Sequence, residues 1–129
     1  MKIRNIVFGL LFAFLVTFFL YQKGIIFANF ETIEPTKLEQ FMRDGNTTLI
    51  DVREPEELQK EGKIEGSINI PLSKLKEQLP TLQKYKNTKL VIYCQSGNRS
   101  AVASRIIADR GYKVYNLKGG ITLWKRYDK

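Results

Sequence analysis

The pattern of apolar and polar positions splits the chain into two unlike parts. Ile6 to Tyr21 is a run of sixteen uncharged, mostly apolar residues, preceded by Lys2 and Arg4. A membrane span takes roughly 20 such residues, with about 17 at the short end. Residues 5–22 meet that length if Asn5 and Gln22 reach the headgroups. Beyond Gln22 and Lys23, apolar character returns at Gly24-Ile25-Ile26-Phe27-Ala28. Residues 1–28 therefore read as one N-terminal hydrophobic helix, either an uncleaved signal anchor or a signal peptide cut after Ala28. The bulky Ile26 before that cut, the Phe-rich run and an interfacial Tyr21 favour the anchor. A buried core helix is disfavoured, because the run is apolar on every side.

From residue 29 onward, short apolar runs alternate with amphipathic stretches. A short edge strand is expected near Thr32-Ile33, then a helix opened by Pro35 and stopped by Gly45, with Leu38, Phe41 and Met42 on one face. Thr47–Val52 reads as a buried strand, Pro55–Glu61 as a short acidic helix closed by Gly62, and Ile68–Ile70 as a strand ended by Pro71. Ser73 is the expected N-cap of a helix through Leu75 and Leu79, interrupted at Pro80. Leu90–Tyr93 is the clearest core strand and Arg99–Arg110 the clearest helix. Val114-Tyr115 and a terminal helix after Gly119-Gly120 complete the pattern. Strands alternating with helices predict an α/β domain over residues 29–129, with a mainly parallel central sheet covered by helices on both faces.

The strand at Leu90–Tyr93 feeds Cys94-Gln95-Ser96-Gly97-Asn98-Arg99-Ser100, a short polar loop, and apolar periodicity resumes at Ala101. Loops between a strand and a helix point backbone N–H groups at whatever lies in their centre. A thiol held there is favoured as the thiolate, its reactive form. Asp51 also falls at a strand carboxyl end, where ligands of parallel sheets bind, so it can converge with Cys94.

Composition narrows the chemistry. The chain has 129 residues, one cysteine and no histidine. That excludes a Cys/His zinc site, a Ser-His-Asp or Cys-His couple and an intramolecular disulfide within this chain. No metal and no cofactor are expected. Activation of Cys94 falls to backbone dipoles and cationic side chains. Net charge is +8, and setting aside Lys2, Arg4 and Lys23 leaves 18 basic and 13 acidic residues. The Lys residues are scattered, with no basic cluster interleaved with aromatics, so nucleic acid is not an expected partner. A weakly basic surface suits anionic substrates or lipid headgroups.

The chain resembles a single rhodanese domain, a three-layer α/β fold of many sulfurtransferases, from about residue 31 to residue 127. Four segments in order carry the resemblance: Leu49–Glu57, Gly62–Pro71, Cys94–Ser100, and Leu117–Ile121 with Trp124. The resemblance implies that Cys94 attacks the sulfane sulfur of thiosulfate, a persulfide or a polysulfide, holds it as a persulfide, and passes it to a thiol, protein or other nucleophile. Gln95 to Ser100 would supply the amide cradle, Gly97 the tight loop geometry, and Ser96 and Ser100 hydroxyl donors or a helix cap. Arg99 would brace the loop against a carboxylate, with Asp51 the natural partner, or hold anionic substrate. Arg53 would assist substrate binding, or else lie solvated beside Glu54, Glu56 and Glu57. One departure is plain: the family often carries His where this chain has Lys63.

Two other classes stay open. A non-catalytic sulfur carrier or partner-binding module would use the same loop at the membrane. Phosphatases and arsenate reductases of related fold need a loop one residue longer, whereas four residues separate Cys94 from Arg99. Glu56 and Glu57 are discounted as an acid–base pair, since adjacent helical residues do not face one another. Lys2 and Arg4 favour a cytoplasmic N-terminus, which makes the chain a single-pass protein of the cell membrane with an extracytoplasmic domain. With cleavage the domain would be secreted.

Overall fold

A computed structural model describes residues 2–22 and 28–128. The sheet has five strands: β1 (Glu31–Ile33), β2 (Thr47–Asp51), β3 (Ile68–Asn69), β4 (Lys89–Tyr93) and β5 (Val114–Leu117). Their order is β1-β5-β4-β2-β3, and every pairing is parallel. The central strands β2, β4 and β5 alternate their side chains between two apolar layers. Ile50, Leu90, Ile92, Cys94 and Val114 face one layer, completed by Ala103, Ile107, Leu75 and Leu82. Leu49, Val91, Tyr93, Tyr115 and Leu117 face the other, with Leu38, Phe41, Ile121 and Trp124. Helices α4 (Leu75–Gln78) and α5 (Asn98–Ala108) supply the first cover, and α2 (Pro35–Asp44) and α6 (Gly120–Tyr127) the second. The expected three-layer arrangement is present.

Local chemistry sets the element ends. Pro35 and Pro55 open α2 and α3 (Pro55–Glu61), where a missing N–H costs nothing. A capping box fixes the start of α3, with the Glu57 carboxylate accepting the Glu54 amide. The span from Leu72 to Tyr85 departs from the expectation. Only α4 is α-helical there, flanked by tighter 3-10 segments at Leu72–Lys74 and Leu79–Tyr85. Pro80 denies the backbone an amide in that stretch. Ser73 does not cap a helix, because its hydroxyl donates instead to Glu54 at 2.8 Å. Met42 also leaves the apolar face of α2 and is exposed.

Helix α1 (Ile3–Gln22) has twenty residues and buries none of them. It is long and apolar enough to cross a membrane. Its last turn meets α5. The Arg105 guanidinium lies 3.7 Å from the Tyr21 ring centroid and donates to the Tyr21 carbonyl. Asn29 donates to Asp109 and to the Arg105 carbonyl. These contacts sit at the C-terminal end of α5, whereas the 94–100 loop feeds its N-terminal end. The helix is 11 residues long, so about 16 Å separates its two ends. Lys23 and the second apolar stretch, Gly24–Phe27, lie outside the described residues.

Candidate functional site

Cys94 follows the last residue of β4 and is 1% exposed. The chain then turns sharply into α5. Gly97, at φ 103°, makes that turn in a conformation open to glycine, and its carbonyl accepts the amide of Ala101. The turn brings backbone donors back onto the sulfur. The amides of Gly97 and Ser100 point at Cys94 Sγ from 3.1 and 3.4 Å, and Ser100 Oγ lies 3.3 Å away. Ser100 is fully buried, while Ser96 and Asn98 are exposed on the rim. The first turn of α5 thus cradles the sulfur from below, with its N-terminal dipole aimed at the same place.

A second set of bonds holds the loop from the other side. The amides of Ile121 and Thr122, at the start of α6, donate to the carbonyls of Cys94 and Gln95 at 2.9 and 3.2 Å. Gln95 Nε2 donates to Thr122 Oγ1 at 3.1 Å. Gly120 lies so close that a Cβ there would stand 2.3 Å from the Cys94 carbonyl oxygen. Asn116, on β5, donates to the Gly97 carbonyl at 3.3 Å. These clamps were not among the expected site residues, although the Gly119-Gly120 pair signals a close backbone approach.

The charged residues pair differently from expectation. Asp51 does converge on this end of the sheet, but its partner is Arg53, not Arg99. Arg53 Nε and Nη2 donate to the Asp51 carboxylate at 2.7 to 3.2 Å, and both side chains are fully buried. Nη2 also reaches the Gly62 carbonyl at 2.8 Å. A buried carboxylate at a strand end needs a cation, and Arg53 is two residues away on the same turn. Arg53 is therefore neither a solvated surface arginine nor a group free to meet substrate. Its Nη1 is buried without a hydrogen-bond partner.

Arg99 instead grips Glu57. Nη1 and Nη2 each lie 2.7 Å from one carboxylate oxygen, a bidentate pair that joins the loop to α3. Arg99 and the Glu54 amide hold the Glu57 carboxyl down to about 2. The same pairing raises Arg99 above its ordinary value. Glu57 carries the bracing carboxylate that the sequence assigned to Asp51. Nothing in the run Glu54-Pro55-Glu56-Glu57 distinguishes the third glutamate until α3 is placed beside the loop. At the end of β4, the Tyr93 hydroxyl accepts the Ile64 amide and shares a 2.8 Å bond with Ser67 Oγ. Burial pushes Tyr93 up to about 12, against the opposing pull of those two bonds.

Two amides and a hydroxyl thus surround a thiol at the carboxyl end of a central parallel strand. The model of the rhodanese-like domain family matches residues 34–127. The chain belongs to the rhodanese family. It is 40% identical over 72 residues to the thiosulfate sulfurtransferase PspE of Escherichia coli, covering 56% of this chain and 68% of that one. It is 33% identical over 97 residues to a sulfurtransferase of Allochromatium vinosum, covering 74% and 88%. The human single-domain sulfurtransferase TSTD1 superposes with a TM-score of 0.68 at 28% identity, over 76% of this chain and 97% of that one. The chain is a rhodanese-type sulfurtransferase. Within this rhodanese domain, Lys63 is exposed, while its neighbour Ile64 supplies the buried amide to Tyr93. The Lys63 side chain takes no part in those hydrogen bonds. Among the described residues no cluster of metal-ligating side chains occurs.

Proposed function

We propose that Cys94 carries the sulfur. The observation that carries this reading is the convergence of the Gly97 and Ser100 amides on its Sγ. Such donors favour negative charge on the sulfur and on a persulfide extending from it. The Cys94 thiolate attacks the sulfane sulfur of thiosulfate, a thiol persulfide or a polysulfide. A sulfur–sulfur bond of the donor breaks, and sulfite, a thiolate or a shortened polysulfide leaves with the electron pair. Cys94 then holds a persulfide. An acceptor thiolate, free or on a protein, attacks the outer sulfur, and the Cys94 thiolate departs. The two steps need no net oxidant, no metal and no cofactor. Gln95, Ser96 and Asn98 line the rim that a donor crosses, Gly97 and Ser100 hold the sulfur, and Arg99 fixes the loop. Asp51 and Arg53 support it from beneath as a buried pair.

We also infer that residues 1–28 tether the 29–129 domain to a membrane as a signal anchor. The exposed apolar α1 and the flanking Lys2 and Arg4 support a single pass with the domain outside the cytoplasm. Because α1 meets the C-terminal end of α5, the loop at the opposite end faces away from the bilayer, toward soluble or protein partners. Sulfur transfer is tested by steady-state turnover of the full chain with thiosulfate or a thiol persulfide and a dithiol acceptor. Turnover that vanishes in Cys94→Ser supports the reading. Undiminished turnover in that variant refutes it. Protease added to intact cells should cleave the domain from its anchor, and complete protection would overturn the orientation.

A further inference from the structure

Glu57 occupies both terminal nitrogens of the one cation in the sulfur-binding loop. Within residues 94–100 the only charged side chain is Arg99. Its fork is the group best shaped to receive the oxygens of a small oxyanion beside Cys94. Here Nη1 and Nη2 are each committed to Glu57 at 2.7 Å. The carboxylate does not swing freely, because its Oε2 also accepts the Glu54 amide at 2.8 Å and so belongs to the cap of α3. Arg53, two residues before this acidic helix, is fully buried against Asp51. Among the described residues, the loop and the turn before α3 therefore offer a thiosulfate dianion no exposed, uncommitted guanidinium, and Glu57 sets a carboxylate against the one exposed arginine they hold.

We propose that Glu57 is a specificity-determining residue that turns this site away from small dianionic donors and toward thiol persulfides, whose reacting end carries at most a single charge. The proposal rests on the reading that Cys94 is the sulfur carrier and deepens it to a donor class. An uncharged or singly charged persulfide needs only the amide cradle, and the Glu57–Arg99 pair stays closed while it reacts. Thiosulfate must either displace Glu57 from Arg99 or bind beside an unneutralised carboxylate.

The test compares two donors in the full chain, thiosulfate and glutathione persulfide, with a dithiol acceptor. Glu57→Gln keeps an oxygen for the Glu54 amide and removes the charge. The pair is about a third exposed, so the expected gain is modest: KM for thiosulfate falls about fivefold, with kcat changed less than about twofold. KM for the persulfide should not fall in parallel. The double variant Glu57→Gln with Arg99→Gln should lose the gain, since the freed guanidinium is its source. Equal losses of kcat with both donors, or an unchanged thiosulfate KM in a variant that melts like the parent, would show a bracing role alone and overturn the proposal. A gain that persists in the double variant would also overturn it. Failure of the underlying reading has its own signature: Cys94 would gain no sulfur mass from either donor, and both claims would fall together.

Discussion

Replacing Gly120 by alanine should damage the sulfur-binding loop through a contact that no side chain can relieve. A Cβ at this position stands 2.3 Å from the Cys94 carbonyl oxygen and 2.6 Å from both the carbonyl carbon and oxygen of Gln95. All three are backbone atoms, fixed in place by the Ile121 and Thr122 amides. Overpacking of this kind costs about 1–3 kcal/mol. The left-handed backbone at Gly120, φ 56°, adds about 1 kcal/mol for any residue with a Cβ. Loss of the Ile121 to Cys94 bond adds about 1 kcal/mol more. The expected destabilisation is therefore about 3–5 kcal/mol, a large share of the ~5–15 kcal/mol that holds a typical domain together. Gly111→Ala is the matched control, because Gly111 also has positive φ, at 92°, but a Cβ there meets nothing within 4 Å. Urea unfolding of the full chain in detergent, followed by Trp124 fluorescence, reads the difference. Gly120→Ala should also load sulfur onto Cys94 more slowly. If it unfolds at the same urea concentration as Gly111→Ala, the clamp of α6 on the loop is not a rigid contact.

Other perturbations have equally definite outcomes. Asp51→Asn strands the buried Arg53 charge and should cost about 3–5 kcal/mol in urea unfolding, with much of the loss recovered when Arg53→Met is added; no recovery would contradict the pairing. Tyr93→Phe orphans the buried Ile64 amide and the Ser67 hydroxyl, and should cost about 1–3 kcal/mol, where a neutral result would contradict those bonds. The Glu57 carboxyl is held at about 2 in the folded chain against 4.5 ordinarily, so its contribution is present above pH 4.5 and is lost as pH falls toward 2. Since the pair is partly solvated, the loss is about 1 kcal/mol, and Glu57→Gln should remove that acid limb from a plot of stability against pH. A parallel acid limb in the variant would contradict the assignment.

The alternation of elements was legible because buried parallel strands such as Leu90–Tyr93 are short apolar runs, and α2 and α5 carry their own start and stop residues. The Cys94 loop was legible because its glycine and polar residues interrupt that pattern at a strand end. The charge pairing was not. Asp51, Arg53, Glu57 and Arg99 offer two carboxylates and two arginines, and sequence spacing does not decide which cation turns inward. The decision falls to burial. Asp51 lies on the inner face of β2 beside Tyr93, so the arginine on its own turn follows it inside and Arg99 is left for α3. The clamp by α6 was likewise hidden, since backbone amides of Ile121 and Thr122 leave no mark in residue identity. The break at Pro80 was legible in the stretch 72–85, but the tight 3-10 turns on either side of α4 were not, since its leucines fit an α-helical spacing.

Cys94 is proposed to accept a sulfur atom beside the Gly97 and Ser100 amides. Intact mass measurement of the full chain after brief exposure to glutathione persulfide, and separately to thiosulfate, tests it most directly. The expected result is a gain of one sulfur atom on Cys94, discharged by a dithiol and absent in Cys94→Ser. A chain that gains no sulfur from either donor, or gains it equally in Cys94→Ser, would contradict it.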